Sequence, residues 1–285
     1  VGFLSLEKLV IIDMENLKRV SSDQISVDSF CRPKVLKLLG VAKQSTILPP
    51  CSPHLISNLQ ELVVGRTNEL RELFQCEGAP GEIIKHGWAQ ARFSKLSLFK
   101  LPMLTHIWKE GFRFQQPGEL FQNLITLEVS ECSALKILVP SPVSLTNLTT
   151  LEIVECHGFL NLITPSTAKS MAQLQTLKIT HCNLISEIVA PSGGGGVEEY
   201  GIISFLKLKY IGLQFLPSLT SFCSGPYTFD FPALDKLIVR GCPKLEKFSM
   251  PDDLKPQNLE KVCLSEEEDD WHWVRADNLN TTIKE

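Results

Sequence analysis

One six-position skeleton recurs through the whole chain. Leu124-x-x-Leu127-x-Val129-x-x-Cys132-x-x-Leu135-x-x-Leu138 is followed by Leu148-x-x-Leu151-x-Ile153-x-x-Cys156-x-x-Phe159-x-x-Leu162. Further copies are Leu174-x-x-Leu177-x-Ile179-x-x-Cys182-x-x-Ile185-x-x-Ile188 and Leu234-x-x-Leu237-x-Val239-x-x-Cys242-x-x-Leu245-x-x-Phe248. The same skeleton with Leu in the Cys slot begins at Phe93 and Leu208, and looser copies begin at Leu6, Pro33, Leu59 and Leu259. The sixty positions of these ten units hold 55 apolar residues, where 44% hydrophobic composition alone would give about 26. A chain so constrained builds its core one layer at a time.

The spacing dictates each layer. In L-x-x-L-x-L the last two apolar residues are two apart, the alternation of a strand with one buried face. The inward side chain of the following turn must satisfy backbone groups that the turn cuts off. Cys can do this and also tolerates apolar surroundings. The apolar positions three and six residues beyond the slot line the inside of the return path. One unit cannot bury its own core, so units stack. This is the leucine-rich-repeat pattern. It predicts an α/β repeat, a curved horseshoe solenoid of about ten repeats, with a parallel β-sheet on the concave face and an irregular or short helical convex side. The repeats start near residues 6, 33, 59, 93, 124, 148, 174, 208, 234 and 259 of a single domain over 1–285. A terminal cap is expected at about 265–285, with Trp271 and Trp273 over the last layer and the acidic run 266–270 as a solvated edge. The Ser/Thr start and Ala-containing body of Ser166-Thr167-Ala168-Lys169-Ser170-Met171-Ala172 predict one or two helical turns. The segments 75–81 and 191–199 read as surface insertions. Gly193–Gly196 lack the flanking strand and Lys-bearing helix of a phosphate cradle.

Charge and cysteine usage narrow the function classes. Lys and Arg number 28 against 32 Asp and Glu, a net charge of −4. That balance offers no broad basic field for nucleic acid or an anionic membrane, and no apolar stretch approaches the ~20 residues of a membrane span. Val1 at the start, without an initiator Met or a signal-peptide pattern, reads as a cut through a longer protein. The nine cysteines form no C-x-x-C pair. Cys132, Cys156 and Cys182 fall one per layer, so they are expected to be buried, reduced and metal-free in a cytoplasmic compartment.

No catalytic constellation emerges. His157 and His181 each adjoin a skeleton Cys, but the cysteines point into the core and the neighbouring turn residues point away. No catalytic, metal or cofactor site is therefore expected, and no enzyme. The fold does offer a ruled surface on its concave side. Its residues in the central units are Thr126, Glu128 and Ser130, then Thr150, Glu152 and Val154, then Thr176, Lys178 and Thr180. Tyr210, Gly212 and Gln214 follow, with Lys236, Ile238 and Arg240. Aromatic and basic side chains dominate binding hot spots, so Lys178, Tyr210, Lys236 and Arg240 are the candidate ligand contacts. Near the N-terminal end Val10, Val35, Val63 and Phe99 read as one exposed apolar column, a candidate intramolecular contact.

The central segments resemble the C-terminal leucine-rich region of plant coiled-coil NB-LRR disease-resistance proteins. The resemblance is carried by residues 121–132, by Asn147-Leu-Thr-Thr-Leu-Glu-Ile153, by Thr164-Pro-Ser-Thr-Ala-Lys-Ser170, and by residues 216–225 and 277–283. It covers most of 93–283, and residues 1–92 fit less tightly. The family's nucleotide-binding module is absent from this chain. The resemblance implies a domain that recognises a pathogen effector or a modified host protein and restrains the receptor's upstream domains until then. A ubiquitin-ligase substrate adaptor also uses Cys-containing repeats, but typically continues with Ile-Thr-Asp after the Cys, and none of the ten units does.

Overall fold

The computed structural model describes residues 6–14, 33–41, 46–48, 58–74, 92–108, 121–139, 143–190, 201–246 and 261–263. They belong to two compact units, residues 1–143 and 144–285. The expected cap, the insertions 75–81 and 191–199 and the start of the repeat at Leu259 lie outside the described residues.

In chain order the first unit contains β1 (Lys8–Ile12), β2 (Val35–Leu39), β3 (Thr46–Leu48), β4 (Glu61–Gly65), β5 (Glu72–Phe74), β6 (Lys95–Phe99), β7 (His106–Trp108) and β8 (Thr126–Ser130). β1, β2, β4, β6 and β8 form one parallel ladder without register slips, so that Leu36, Leu62, Leu96 and Leu127 stand side by side. The second unit contains β9 (Thr150–Val154), β10 (Asn161–Ile163), α1 (Pro165–Ser170), β11 (Thr176–Thr180), β12 (Glu187–Val189), β13 (Gly201–Ser204), β14 (Tyr210–Gln214), β15 (Tyr227–Asp230), β16 (Lys236–Arg240) and β17 (Lys261–Cys263). Its main ladder runs β9, β11, β14, β16, β17, again parallel.

Strand alternation follows the skeleton. In β9 the inward Leu151 and Ile153 are fully buried, while Thr150, Glu152 and Val154 are half-buried on the other face. The return path obeys the rest of the spacing: Leu135 and Leu138, Phe159 and Leu162, Ile185 and Ile188 are all buried. α1 forms within the expected segment 166–172 but starts one residue earlier, at Pro165, and ends at Ser170. Thr164 caps it by accepting the Thr167 N–H, Pro165 occupies its first turn, and Ala168 is buried beneath it.

The return side is more regular than the expected irregular or helical path. β3, β5 and β7 form a second parallel ladder in the first unit. In the second unit β10 pairs with β12, and β13 with β15. The stacking distance set by the main ladder brings successive return segments alongside each other, and strands of three or four residues suffice to pair. A further inward position precedes each of five skeletons by three residues. Phe121, Leu145, Met171, Phe205 and Phe231 are buried there, each accepting the N–H three residues on.

Each described turn after a main strand adopts the same conformation. Asp13, Gly40, Arg66, Lys100, Glu131, Glu155, His181, Phe215 and Gly241 all have φ between 51 and 63°. Only two are glycine, so the turn holds seven ordinary residues in a left-handed conformation at some cost. The amides offset it in part: those of Asp13, Gly40, Arg66, Lys100, Glu155, His181 and Phe215 each donate to the last strand carbonyl of the next layer.

One residue later lies the slot. The thiols of Cys132, Cys156 and Cys182 donate to the carbonyls of Ser130, Val154 and Thr180, at 3.3–3.4 Å. All three are buried and in no disulfide. Thr67 fills the same slot in the first unit and is 3% exposed. Its hydroxyl lies 3.2 Å from the Val41 carbonyl and 3.3 Å from that of Gly65. Thr67→Val preserves the shape but strands a buried carbonyl, and is expected to cost about 1–2 kcal/mol in a urea melt. Thr67→Cys, which keeps a donor, should lose less than half of that. Equal losses would mean that packing, not hydrogen bonding, selects the slot residue.

Candidate functional site

The outward residues of a parallel ladder form columns, because equivalent positions on neighbouring strands lie side by side at ~4.8 Å. In the first unit the columns are Lys8–Val35–Glu61–Lys95–Thr126, Val10–Lys37–Val63–Ser97–Glu128 and Ile12–Leu39–Gly65–Phe99–Ser130. The register corrects the expected apolar column. Val35 stands in the first, Val10 and Val63 in the second with Lys37 between them, and Phe99 in the third. Phe99 lies over Gly65, where a Cβ would sit 2.5 Å from its ring. Charges on this face are matched across strands: Lys37 pairs with Glu61 at 3.4 Å, and Lys95 with Glu128 at 2.7 Å. The turn column carries a further pair, Lys100 with Glu131 at 3.8 Å.

The second unit is organised differently. Its described columns are Thr150–Thr176–Tyr210–Lys236, Glu152–Lys178–Gly212–Ile238 and Val154–Thr180–Gln214–Arg240. Of the four candidate contacts, Tyr210 and Lys236 are direct neighbours. Gly212 leaves a notch that the Tyr210 phenol occupies, with the oxygen 2.9 Å from where a Cβ would be. The Lys236 ammonium lies 5.8 Å from the centre of the Tyr210 ring, within cation–π range. Lys178 is half-buried and pairs with Glu152 at 3.5 Å, so part of its charge is neutralised within the ladder. Arg240 stands at the far end of β16, exposed, its guanidinium 5.2 Å from the centre of the Phe215 ring. The outer face is also less open than expected, since Ile238 is 1% and Gln214 3% exposed.

Phe215 and His181 complete this arrangement and were missing from the candidate set. Their rings stack at 4.5 Å with an interplanar angle of 20°. Phe215 also leans over Gly241, where a Cβ would meet the ring at 2.8 Å. The signal that could have found them is positional: both occupy the left-handed residue between strand and slot. The edge of β11, β14 and β16 thus carries a short stack of imidazole, phenyl and guanidinium.

Burial pushes the Cys182 thiol up to about 12, opposite in direction to the shift that activates a nucleophile. Burial also raises Cys223 and Cys242. Among the described residues, no three His, Cys, Asp or Glu side chains come together as a metal-holding group. Also among them, no helix is long and apolar enough to cross a membrane.

The sequence profile of plant disease resistance proteins, RPS2-like leucine-rich repeats, matches residues 5–157 and 140–262. The chain belongs to that family. It is 27% identical over 271 residues to disease resistance protein UNI of Arabidopsis thaliana, covering 88% of this chain and 26% of UNI. It is 26% identical over 255 residues to the probable disease resistance protein At1g61310 of the same plant, again covering 88% and 26%. A third Arabidopsis relative, the probable disease resistance protein At1g61190, is 25% identical over 285 residues, covering 98% of this chain and 28% of its own. The chain spans about a quarter of the length of these curated relatives.

Proposed function

We propose that this leucine-rich-repeat region is the non-enzymatic recognition surface of a cytoplasmic plant immune receptor. It contacts a protein ligand, a pathogen effector or a modified host protein, through the outward face of β11, β14 and β16. The observation that carries this is the pair of cation–ring contacts on the second ladder, where Lys236 and Arg240 lie against the rings of Tyr210 and Phe215. A cation held over an aromatic ring is fixed in place, and the exposed Arg240 guanidinium presents its charge to an acidic group arriving from outside. Aromatic and Arg side chains so arranged have the chemistry of interface anchors. Val10, Val35, Val63 and Phe99 would serve the second half of the function, restraint of the receptor's own upstream domains.

The test separates the two sets in the full receptor. Tyr210→Ala and Arg240→Ala are each expected to weaken ligand binding by on the order of tenfold or more, with response lost and restraint intact. Alanine at Val10, Val35 and Val63 should release restraint and leave ligand affinity unchanged. If neither set alters either behaviour while changes in 191–199 do, recognition belongs to that insertion instead.

A further inference from the structure

One edge of the second unit carries opposite charges at its two ends, with rings between them. Glu155, His181 and Phe215 occupy the left-handed position after β9, β11 and β14, and Gly241 holds it after β16. The amides of the first three donate to the last strand carbonyl one layer on, at Thr180, Gln214 and Arg240. The four positions therefore stand in line, one per layer. The rings of His181 and Phe215 stack at 4.5 Å, and the Arg240 guanidinium lies 5.2 Å from the centre of the Phe215 ring. The order along the edge is carboxylate, imidazole, phenyl, guanidinium. Glu155, His181 and Arg240 are exposed, and Phe215 is half-buried.

Among the described residues neither Glu155 nor Arg240 forms an ion pair. At ~4.8 Å per layer the two charges stand about 10–14 Å apart. That is beyond a direct ion pair and about a Debye length or more at physiological salt, so each end acts on an incoming group by itself. A ligand that matches both ends must change the sign of its charge along its length. Nucleic acid and anionic lipid surfaces carry one sign throughout, and Glu155 would repel them. A polypeptide places either sign at any residue. Its extended form rises about 3.3 Å per residue, so three or four residues span the gap.

We propose that this edge seats an extended segment of a protein partner that carries an acidic and a basic residue three or four positions apart. The acid meets Arg240, the base meets Glu155, and the residues between them lie along the His181 and Phe215 rings. The proposal rests on the recognition reading above and gives it a polarity, to which Glu155 is as necessary as Arg240.

Selection from a random peptide library displayed on phage tests it, with the 285-residue chain as bait beside its Glu155→Gln, Glu155→Lys, Arg240→Gln and Tyr210→Ala variants. The native chain is expected to enrich peptides that hold Asp or Glu three or four residues from Lys or Arg, by about tenfold or more over the unselected library. Glu155→Gln should keep the acidic residue and lose the basic one, and Arg240→Gln should do the reverse. Glu155→Lys should replace the basic residue by a second acidic one, which a merely structural role for Glu155 cannot produce. Peptides with acidic residues alone, lost in Arg240→Gln, would overturn the polarity and leave the recognition reading standing. Charge pairs that persist in both Gln variants would place binding elsewhere, and selection without a charge preference would remove the site; either overturns the proposal. Peptides indifferent to both Arg240→Gln and Tyr210→Ala would overturn the recognition reading as well. The native selection needs no substitution, so a folding defect in any variant leaves it decisive.

Discussion

Leu151→Asp is expected to cost at least about 4 kcal/mol of folding free energy, while Glu152→Ala, one residue along the same strand, should change it by less than about 0.5 kcal/mol. Leu151 is fully buried and stands directly beside Leu177 of β11. A carboxylate there has neither water nor a cation, so it either stays ionised at a large desolvation cost or takes up a proton at the expense of its pKa. Glu152 points the other way and pairs with Lys178 at 3.5 Å, both side chains about one-third exposed. Ion pairs of that kind contribute about 0–1 kcal/mol. The loss at Leu151 is also expected to spread. Layers in a stacked repeat are stabilised through their neighbours, so opening β9 weakens the layer of β11 as well. Urea melts of the two variants decide the matter, and comparable losses would mean that the strand register is wrong by one.

The parts of this fold that could be read from the residues are those set by contacts within one repeat. Strand alternation, the slot and the two return-path positions all lie within fifteen consecutive residues, so a fixed spacing reveals them, and they hold from Leu36 to Leu245. The short helix was legible from the Ser/Thr start and Ala-containing body of 166–172, local signals of the same kind, but its cap is Thr164 and it ends at Ser170. What escaped depends on the stacking of one repeat on the next. Val10, Val35, Val63 and Phe99 are all outward, but only residues at the same strand position become neighbours, and these four occupy three positions. The return-side strands are equally invisible, since segments of three or four residues pair through stacking and carry no alternation of their own. The left-handed turn was hidden by its chemistry. Asp, Arg, Lys, Glu, His and Phe all occupy it besides Gly, because the backbone bond to the next layer enforces the conformation whatever the side chain. The stack of His181, Phe215 and Arg240 follows from that turn, which is why only Arg240 was singled out beforehand.

The slot cysteines make stability depend on alkaline pH in a way that can be isolated. Cys182 is fully buried, donates to the Thr180 carbonyl at 3.4 Å, and has its thiol pushed up from 9.0 to about 12, first by burial. In the unfolded chain it titrates near its ordinary value. The folded state therefore binds the proton more tightly, and its advantage is complete below about pH 9 and is lost as pH rises toward about 12. That displacement corresponds to about 4 kcal/mol over the whole window, and to about 2 kcal/mol by pH 10.5. Lysines and tyrosines titrate in the same range, so the measurement must be a difference. Urea melts of the native sequence and of Cys182→Ala at pH 7.5, 9 and 10.5 cancel the shared titrations. The native sequence should be the more stable at pH 7.5, and that lead should shrink by about 2 kcal/mol at pH 10.5. A lead that stays constant across the three values would show that Cys182 does not hold its proton through burial, and would remove it from the core.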